Sequence, residues 1–327
     1  IQYTNDNLRH FTVAGGQSFK PFDAPIPADF SSATFFLCAG ALLDADITLT
    51  GLDFSDSQPD KAVAEYLVKM GADSRVNGDK VTVKRSDLTG IDIDSEAFRE
   101  RRHVNVYLPA RFRKNRRYGL LVVHDGHDYV NYASLKTVLD NLIHALEIPP
   151  LIVAMTQSPD RLKEYAGDER HARYLAEELL PALANAYPLE DTAASRCVMG
   201  ASFGGVAALH AAWRYPDVWG KLLLQSGSYA FSDLGRHHRG PVFDPVVRFM
   251  NEFRETPGYP TERIYMSCGI YESLIYENRS LVPRLQQQGI DVRFEEARDA
   301  HNWENWRDRL RNGLSWLYPG PQWMVYE

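Results

Sequence analysis

The chain has 327 residues, 44% of them apolar and 24% charged, which is enough to bury a core of ordinary size without disulfide staples. A formal net charge of −7 argues against nucleic acid as a partner, because phosphate binding needs a basic face. The three cysteines, Cys38, Cys197 and Cys268, show neither CxxC spacing nor a zinc-finger histidine partner, and an odd, low count fits a reducing compartment. No signal-peptide pattern and no apolar run near ~18 residues is visible, so the expectation is a soluble, cytoplasmic protein with no membrane partner.

The first stretch, residues 1–94, has its own rhythm. Phe11 to Val13 and Asp23 to Ile26 read as short extended pieces. Asp29-Phe30-Ser31-Ser32 opens a helix reaching about Leu43, with Asp29 or Ser31 as N-cap. Asp46 to Leu52 alternates and reads as a strand. Asp60 to Met70 is amphipathic, with Ala62, Val63, Tyr66 and Leu67 on one face and Gly71 as its C-terminal cap. Val76 to Val81 predicts a hairpin turned on Asn77-Gly78. The order is βαβαββ, a small domain of its own.

Beyond a charged break from Thr89 to Arg102, strands and helices alternate. His103 to Leu108 reads as a strand ended by Pro109. Tyr118 to His124 and Leu151 to Met155 are near-continuous apolar runs, as expected of strands covered on both faces. Leu135 to Leu146 predicts a helix, and Arg170 to Tyr187 a longer one that Pro181 kinks or interrupts. Arg196 to Met199 is a strand, and Ser202 opens a helix of small residues reaching about Trp213. Lys221 to Gln225, Arg263 to Cys268 and Asp291 to Glu295 are further strands; Asn278 to Gln288 and Trp303 to Trp316 are helices. Repeated βα units predict a mostly parallel sheet with helices on both faces over residues 95–327.

Gly200-Ala201-Ser202-Phe203-Gly204 fits G-x-S-x-G, with an apolar strand before it and a helix after it. A serine on that tight turn is exposed as a nucleophile, and the helix N-terminus points positive partial charge at a developing oxyanion. The base and acid should follow in the order Asp/Glu, then His. Of the three later histidines, His237 and His238 lie in a polar loop, whereas His301 sits between a strand and a helix. Glu272, just past the strand Arg263 to Cys268, is the favoured acid; Asp233, Asp244 and Asp299 are rivals.

Phe203 N–H is one expected oxyanion donor, and His127 or Asp128, after the strand Leu120 to Val123, supplies the other. His124, Asp125, His127 and Asp128 also suggest a metal, but no second ligand cluster accompanies them, so no metal is expected. Arg161, with Lys163 and Arg170, could meet an acidic substrate or form a solvated face. Trp303 and Trp306 could stack on an aromatic acyl group, or Trp306 could be helix core.

These residues carry a resemblance. From about Ser95 to Gly320 the chain resembles the Putative esterase family that includes enterochelin (ferric-siderophore) esterases. The resemblance rests on the strand His103 to Pro109, His-Asp-Gly at 124 to 126, Arg161 with Glu164-Tyr165, and Gly-Ala-Ser-Phe-Gly-Gly at 200 to 205. Tyr215-Pro216, Gln225-Ser-Gly-Ser228, Gly269-Ile-Tyr-Glu272 and His301-Asn-Trp-Glu-Asn-Trp306 complete it. It implies an α/β-hydrolase fold, cofactor-free hydrolysis of a small-molecule ester, and a triad of Ser202, Glu272 and His301. The broad family also holds feruloyl and acetyl-xylan esterases and mycolyl transferases, so acyl transfer stays open. A non-catalytic binding protein is the rival reading, against which the intact Ser, Glu, His order argues.

The N-terminal segment is similar to one repeat of 5-enolpyruvylshikimate-3-phosphate synthase, through Val13-Ala-Gly-Gly16, Ile26 to Ala33, Gln58-Pro-Asp60, Lys69 to Ala72 and Gly90 to Asp94. That family is built of six βαβαββ repeats, and one alone cannot supply its active site. The resemblance therefore implies a non-catalytic appendage, one that mediates assembly into a homo-oligomer or shields the cleft.

Overall fold

The computed structural model describes the chain apart from residues 1, 8, 19–20, 22, 24–25, 44, 70–71, 85–89, 232–238 and 322–327. The chain divides into two compact units, residues 1–86 and 87–327.

In the first unit, β1 (Tyr3–Asp6) and β2 (His10–Val13) form an antiparallel pair. Helix α1 (Phe30–Leu42) starts where Asp29 accepts hydrogen bonds from the Ser31 and Ser32 N–H groups. Strand β3 (Asp46–Leu49), helix α2 (Ala62–Lys69), β4 (Asp73–Asn77) and β5 (Lys80–Lys84) follow. The strands form an antiparallel sheet in the order β3-β5-β4, and Gly78 turns the β4–β5 hairpin at φ +63. Phe30, Leu37, Leu52, Leu67, Val81 and Val83 make its core. The extended piece expected at Asp23 to Ile26 and the cap expected at Gly71 fall partly or wholly outside the described residues.

The second unit contains β6 (Gly90–Ser95), β7 (Glu100–Tyr107), β8 (Gly119–Val123), α3 (Gly126–Tyr132), α4 (Leu135–His144), β9 (Leu151–Met155), α5 (Arg161–Glu164) and α6 (Glu169–Arg173). It continues with α7 (Leu180–Ala186), β10 (Arg196–Ala201), α8 (Phe203–Arg214), β11 (Lys221–Gln225), α9 (Asp244–Glu255), β12 (Arg263–Gly269), α10 (Ile275–Gln287), β13 (Asp291–Ala297) and α11 (Trp303–Leu317). Eight strands form one sheet in the order β13-β12-β11-β10-β8-β9-β7-β6. Strand β7 is antiparallel to both neighbours, and β9 through β13 run parallel to β8.

Alternation along the strands builds two cores, one on each face. Leu120, Val122, Ile152, Val198 and Leu222 pack beneath α8, α9 and α10, whereas Leu121, Val123, Val153, Met199 and Leu223 face α3, α4 and α11. Both faces are covered, which is why β8 and β9 read as unbroken apolar runs. The helix expected from Arg170 to Tyr187 is α6, a π-wound turn at Tyr174–Leu179, and α7. The wider turn lets the chain pass Pro181 without the N–H and carbonyl contact that an α-turn there would demand.

Residues 90–94, expected to close the N-terminal segment, pair with β7 from Gly90↔Asn105 to Ser95↔Glu100. Backbone hydrogen bonding therefore puts them in the larger unit. Among the described residues, no helix is long and apolar enough to cross a membrane.

Arg102 of β7 and Glu164 of α5 are both buried and joined by two bonds of 3.0 and 2.6 Å, with Ser158 Oγ adding a third bond to Glu164 at 2.7 Å. Removing one partner leaves an uncompensated buried charge. Arg102→Ala should lose about 3–5 kcal/mol of unfolding free energy by urea titration, and a loss below about 1 kcal/mol would show the pair to be solvated.

Candidate active site

Strand β10 ends at Ala201 and α8 starts at Phe203, leaving Ser202 alone on the turn at φ 58 and ψ −119. A side chain at Gly200 would put Cβ 2.4 Å from the Gly204 backbone, and one at Gly204 would put it 3.2 Å from His124 Cβ. Gly200 thus lets strand and helix close on the serine, and Gly204 lets the helix close on the end of β8. Ser202 N–H donates to the Gln225 carbonyl at 2.9 Å, which ties the turn to the end of β11. Phe203 N–H lies in the first turn of α8, where no helical carbonyl is available to it.

The loop after β8 is built as tightly. Asp125 adopts φ 53, and Gly126, where a Cβ would fall 2.3 Å from Met155 Cβ, donates its N–H to the Thr156 carbonyl. The N–H groups of His127 and Asp128 occupy the first turn of α3. The His127 side chain is exposed and that of Asp128 is half-buried. Arg161 joins the two turns: its Nε donates to Asp125 Oδ2 at 2.8 Å and its Nη2 to the Ala201 carbonyl at 3.2 Å. Its guanidinium is therefore engaged in holding the loops that flank Ser202. Burial pushes the Asp125 carboxyl above its ordinary value, although Arg161 opposes it.

His301 and Glu272 meet where β12 and β13 end. His301 Nδ1 lies 2.7 Å from Glu272 Oε2; the glutamate side chain is 0% exposed and the histidine side chain 39%. Glu272 Oε1 accepts from Ser226 Oγ at 2.7 Å, Gly269 N–H at 2.7 Å and Asn305 Nδ2 at 3.1 Å. Burial raises this carboxyl's pKa, but the bonds from His301, Ser226 and Gly269 outweigh it and hold the group below its ordinary value.

Trp306 is buried, sets its ring edge-on to His301 at 5.0 Å, and donates Nε1–H to Ser226 Oγ at 2.9 Å. It belongs to the support of Glu272 rather than to an open surface. Trp303 is half-buried and packs between Trp306, Tyr129 and the exposed Tyr132. Asp299 pairs with Arg309 at 2.8 Å, and Asp244 begins α9; Asp233, His237 and His238 lie outside the described residues. Arg170 pairs with Asp168 on the surface.

The sequence reading assigned no role to Ser226, Ser228 or Asn305. Ser228 Oγ is 3.1 Å from Ser202 Oγ, and its N–H donates to the Ser202 carbonyl. Their only signal in the sequence is the Gln-Ser-Gly-Ser motif and the run after His301, both part of the family resemblance.

His124 is buried and not free for a ligand. A carbonyl can only accept, so His124 Nδ1–H donates to Met199 O at 3.1 Å, and His124 Nε2 accepts from His171 Nε2–H at 2.8 Å. Among the described residues, no three His, Cys, Asp or Glu side chains converge as a metal site needs.

The strand order and the strained turn at Ser202 define an α/β-hydrolase fold. The chain belongs to the Putative esterase family, whose pattern matches residues 95–317, while residues 1–101 match EPSP synthase (3-phosphoshikimate 1-carboxyvinyltransferase). An iron(III) enterobactin esterase of Escherichia coli O6:H1 is 27% identical over 201 residues, 60% of this chain and 48% of its own length. A 3-phosphoshikimate 1-carboxyvinyltransferase of Ruminiclostridium cellulolyticum is 42% identical over 94 residues, 29% of this chain and 22% of its own. The chain thus spans about half or less of these curated relatives. The solved enterobactin esterase of Shigella flexneri shares the fold with a TM-score of 0.60 and 22% identity, over 81% of this chain and 75% of its own.

Burial, opposed by the Met199 carbonyl and reinforced by Arg161, pushes His124 down to about 4. Burial also pushes His210 down to about 4 and holds His171 well below its usual value. Unfolded histidines take up protons below about 6.5 while these folded ones do not. Their contribution to stability is therefore complete above that pH and is lost as pH falls toward 4. Urea midpoints should drop between pH 7.5 and pH 5; a flat profile across that window would mean the rings are charged in the folded state.

Proposed function

We propose that this chain is a serine carboxylic-ester hydrolase that works through an acyl-enzyme on Ser202, with small esters, siderophore-type esters among them, as substrates. The observation that carries the reading is the buried Glu272 carboxylate bonded to Nδ1 of a partly exposed His301. That bond fixes the tautomer with its proton on Nδ1 and a free lone pair on Nε2, as a general base requires.

In the proposed cycle Ser202 attacks the ester carbonyl as His301 Nε2 takes its proton. Phe203 N–H and the first-turn N–H of His127 or Asp128 hold the oxyanion, each donor contributing about 3–4 kcal/mol in sites of this kind. His301 then protonates the leaving alcohol, and water removes the acyl group by the reverse path. Arg161 serves by fixing both oxyanion loops rather than by meeting substrate. The N-terminal unit is assigned no transferase chemistry, since its match covers 22% of the transferase relative.

Hydrolysis of p-nitrophenyl acetate and butyrate should fall by about 10³-fold or more in Ser202→Ala, and equal rates in the two proteins would remove Ser202 from the mechanism. Glu272→Gln makes a sharper test. Three donors converge on Oε1, so the new amide must place its oxygen there and turn its NH₂ toward His301. The imidazole is then forced into the wrong tautomer, and kcat should drop by about 10⁴-fold with little loss of stability. A drop under tenfold would exclude Glu272 as the acid.

A further inference from the structure

Among the described residues the Ser202 hydroxyl has one side-chain partner, and it is not His301. That partner is Ser228 Oγ, 3.1 Å away, and Ser228 N–H is 3.1 Å from the Ser202 carbonyl. Ser228 is 2% exposed, so its hydroxyl cannot turn to solvent. A buried hydroxyl proton needs an acceptor, and among the described residues Ser202 Oγ is the side-chain acceptor that Ser228 Oγ meets.

The loop that carries Ser228 is rigid. Ser226 adopts φ 48 and donates its N–H to the Ser267 carbonyl at 2.7 Å. The buried Asn278 donates Nδ2–H to the Gly227 carbonyl at 2.9 Å, and a Cβ on Gly227 would fall 2.1 Å from the Tyr229 ring. Ser226 reaches Glu272 Oε1, while Ser228, two residues on, reaches Ser202 Oγ. One short segment therefore touches both the acid and the nucleophile.

We propose that Ser228 is a positioning residue for acylation, its hydroxyl donating to Ser202 Oγ so that the Ser202 proton is free to turn toward His301 Nε2. The opposite polarity would engage the one Ser202 proton on Ser228 and would have to break before attack. As Ser202 attacks, an Oγ electron pair forms the new bond to the ester carbon and the carbonyl π pair moves onto its oxygen. The Ser202 proton passes to His301 Nε2, and Ser228 keeps its own proton throughout. This inference rests on Ser202 being the nucleophile.

The test is stopped-flow acylation by p-nitrophenyl acetate in the parent, Ser202→Ala, Ser228→Ala and Ser228→Thr, with fold checked by circular dichroism. Ser228→Ala should slow the acylation burst about tenfold, the scale of one buried hydrogen bond, at unchanged KM. Ser228→Thr, which restores the hydroxyl, should recover most of that rate. The acid limb of the rate–pH profile should stay in place, because Glu272 and His301 are untouched. Labelling of Ser202 by a fluorophosphonate should slow in parallel, and this readout stands even where the threonine does not fit. Parental acylation and labelling in Ser228→Ala, or a displaced acid limb, would overturn the proposal. Hydrolysis that persists in Ser202→Ala removes the esterase reading and this one with it. An inert Ser202→Ala beside an unimpaired Ser228→Ala removes the role of Ser228 alone.

Discussion

A carboxylate with no exposed surface must find all its partners inside the protein, and Glu272 is that carboxylate. Its two oxygens collect Ser226 from the loop after β11, the Gly269 N–H at the end of β12, His301 from the loop after β13, and Asn305 from α11. Four segments of the chain are pinned at one point. Each would leave a polar atom unsatisfied if it shifted, so the packing of the last third of the sheet and the geometry of the site are one constraint.

Ser202 is fixed from the other side of that point. Gly200 sets how closely β10 and α8 approach, Gly204 how closely α8 approaches the end of β8, Gln225 holds the Ser202 N–H, and Arg161 bonds the carbonyl just before it. Tyr129 reaches across to Gln225 Oε1 at 2.8 Å, and Gln225 Nε2 reaches the Trp306 carbonyl at 2.8 Å. The C-terminal ends of β8, β10, β11, β12 and β13 are thereby cross-linked by polar contacts above an apolar sheet. Strength comes from burial below, and aim comes from hydrogen bonds above.

Signals that are local in sequence were readable before any coordinates. The glycine spacing around Ser202 marks its turn, apolar runs mark β8 and β9, and His301 stands at a strand-to-helix junction. What could not be read depends on distant pairs. Trp306 meets Ser226 across 80 positions and Asn305 meets Glu272 across 33, and no periodicity encodes either. Sequence left Arg161 open between a substrate contact and a solvated face, because it shows the charge but not Asp125, 36 positions away. The turn before Pro181 likewise follows ordinary helix patterning, and only backbone geometry distinguishes its π winding.

The β6–β7 hairpin has a further meaning. The two family matches overlap at residues 95–101, which is where β6 gives way to β7. Strand β6 is the last in the sheet order; besides its backbone pairs with β7, it is held by Ile93 in the core, by Ser95 Oγ on Glu178 and by Asp92 on His103. An edge position of this kind accepts an extended segment of foreign ancestry, provided that it alternates and has the right length. Such a margin tolerates a change of sequence with little disturbance to Ser202, Glu272 and His301, which stand at the ends of β10, β12 and β13.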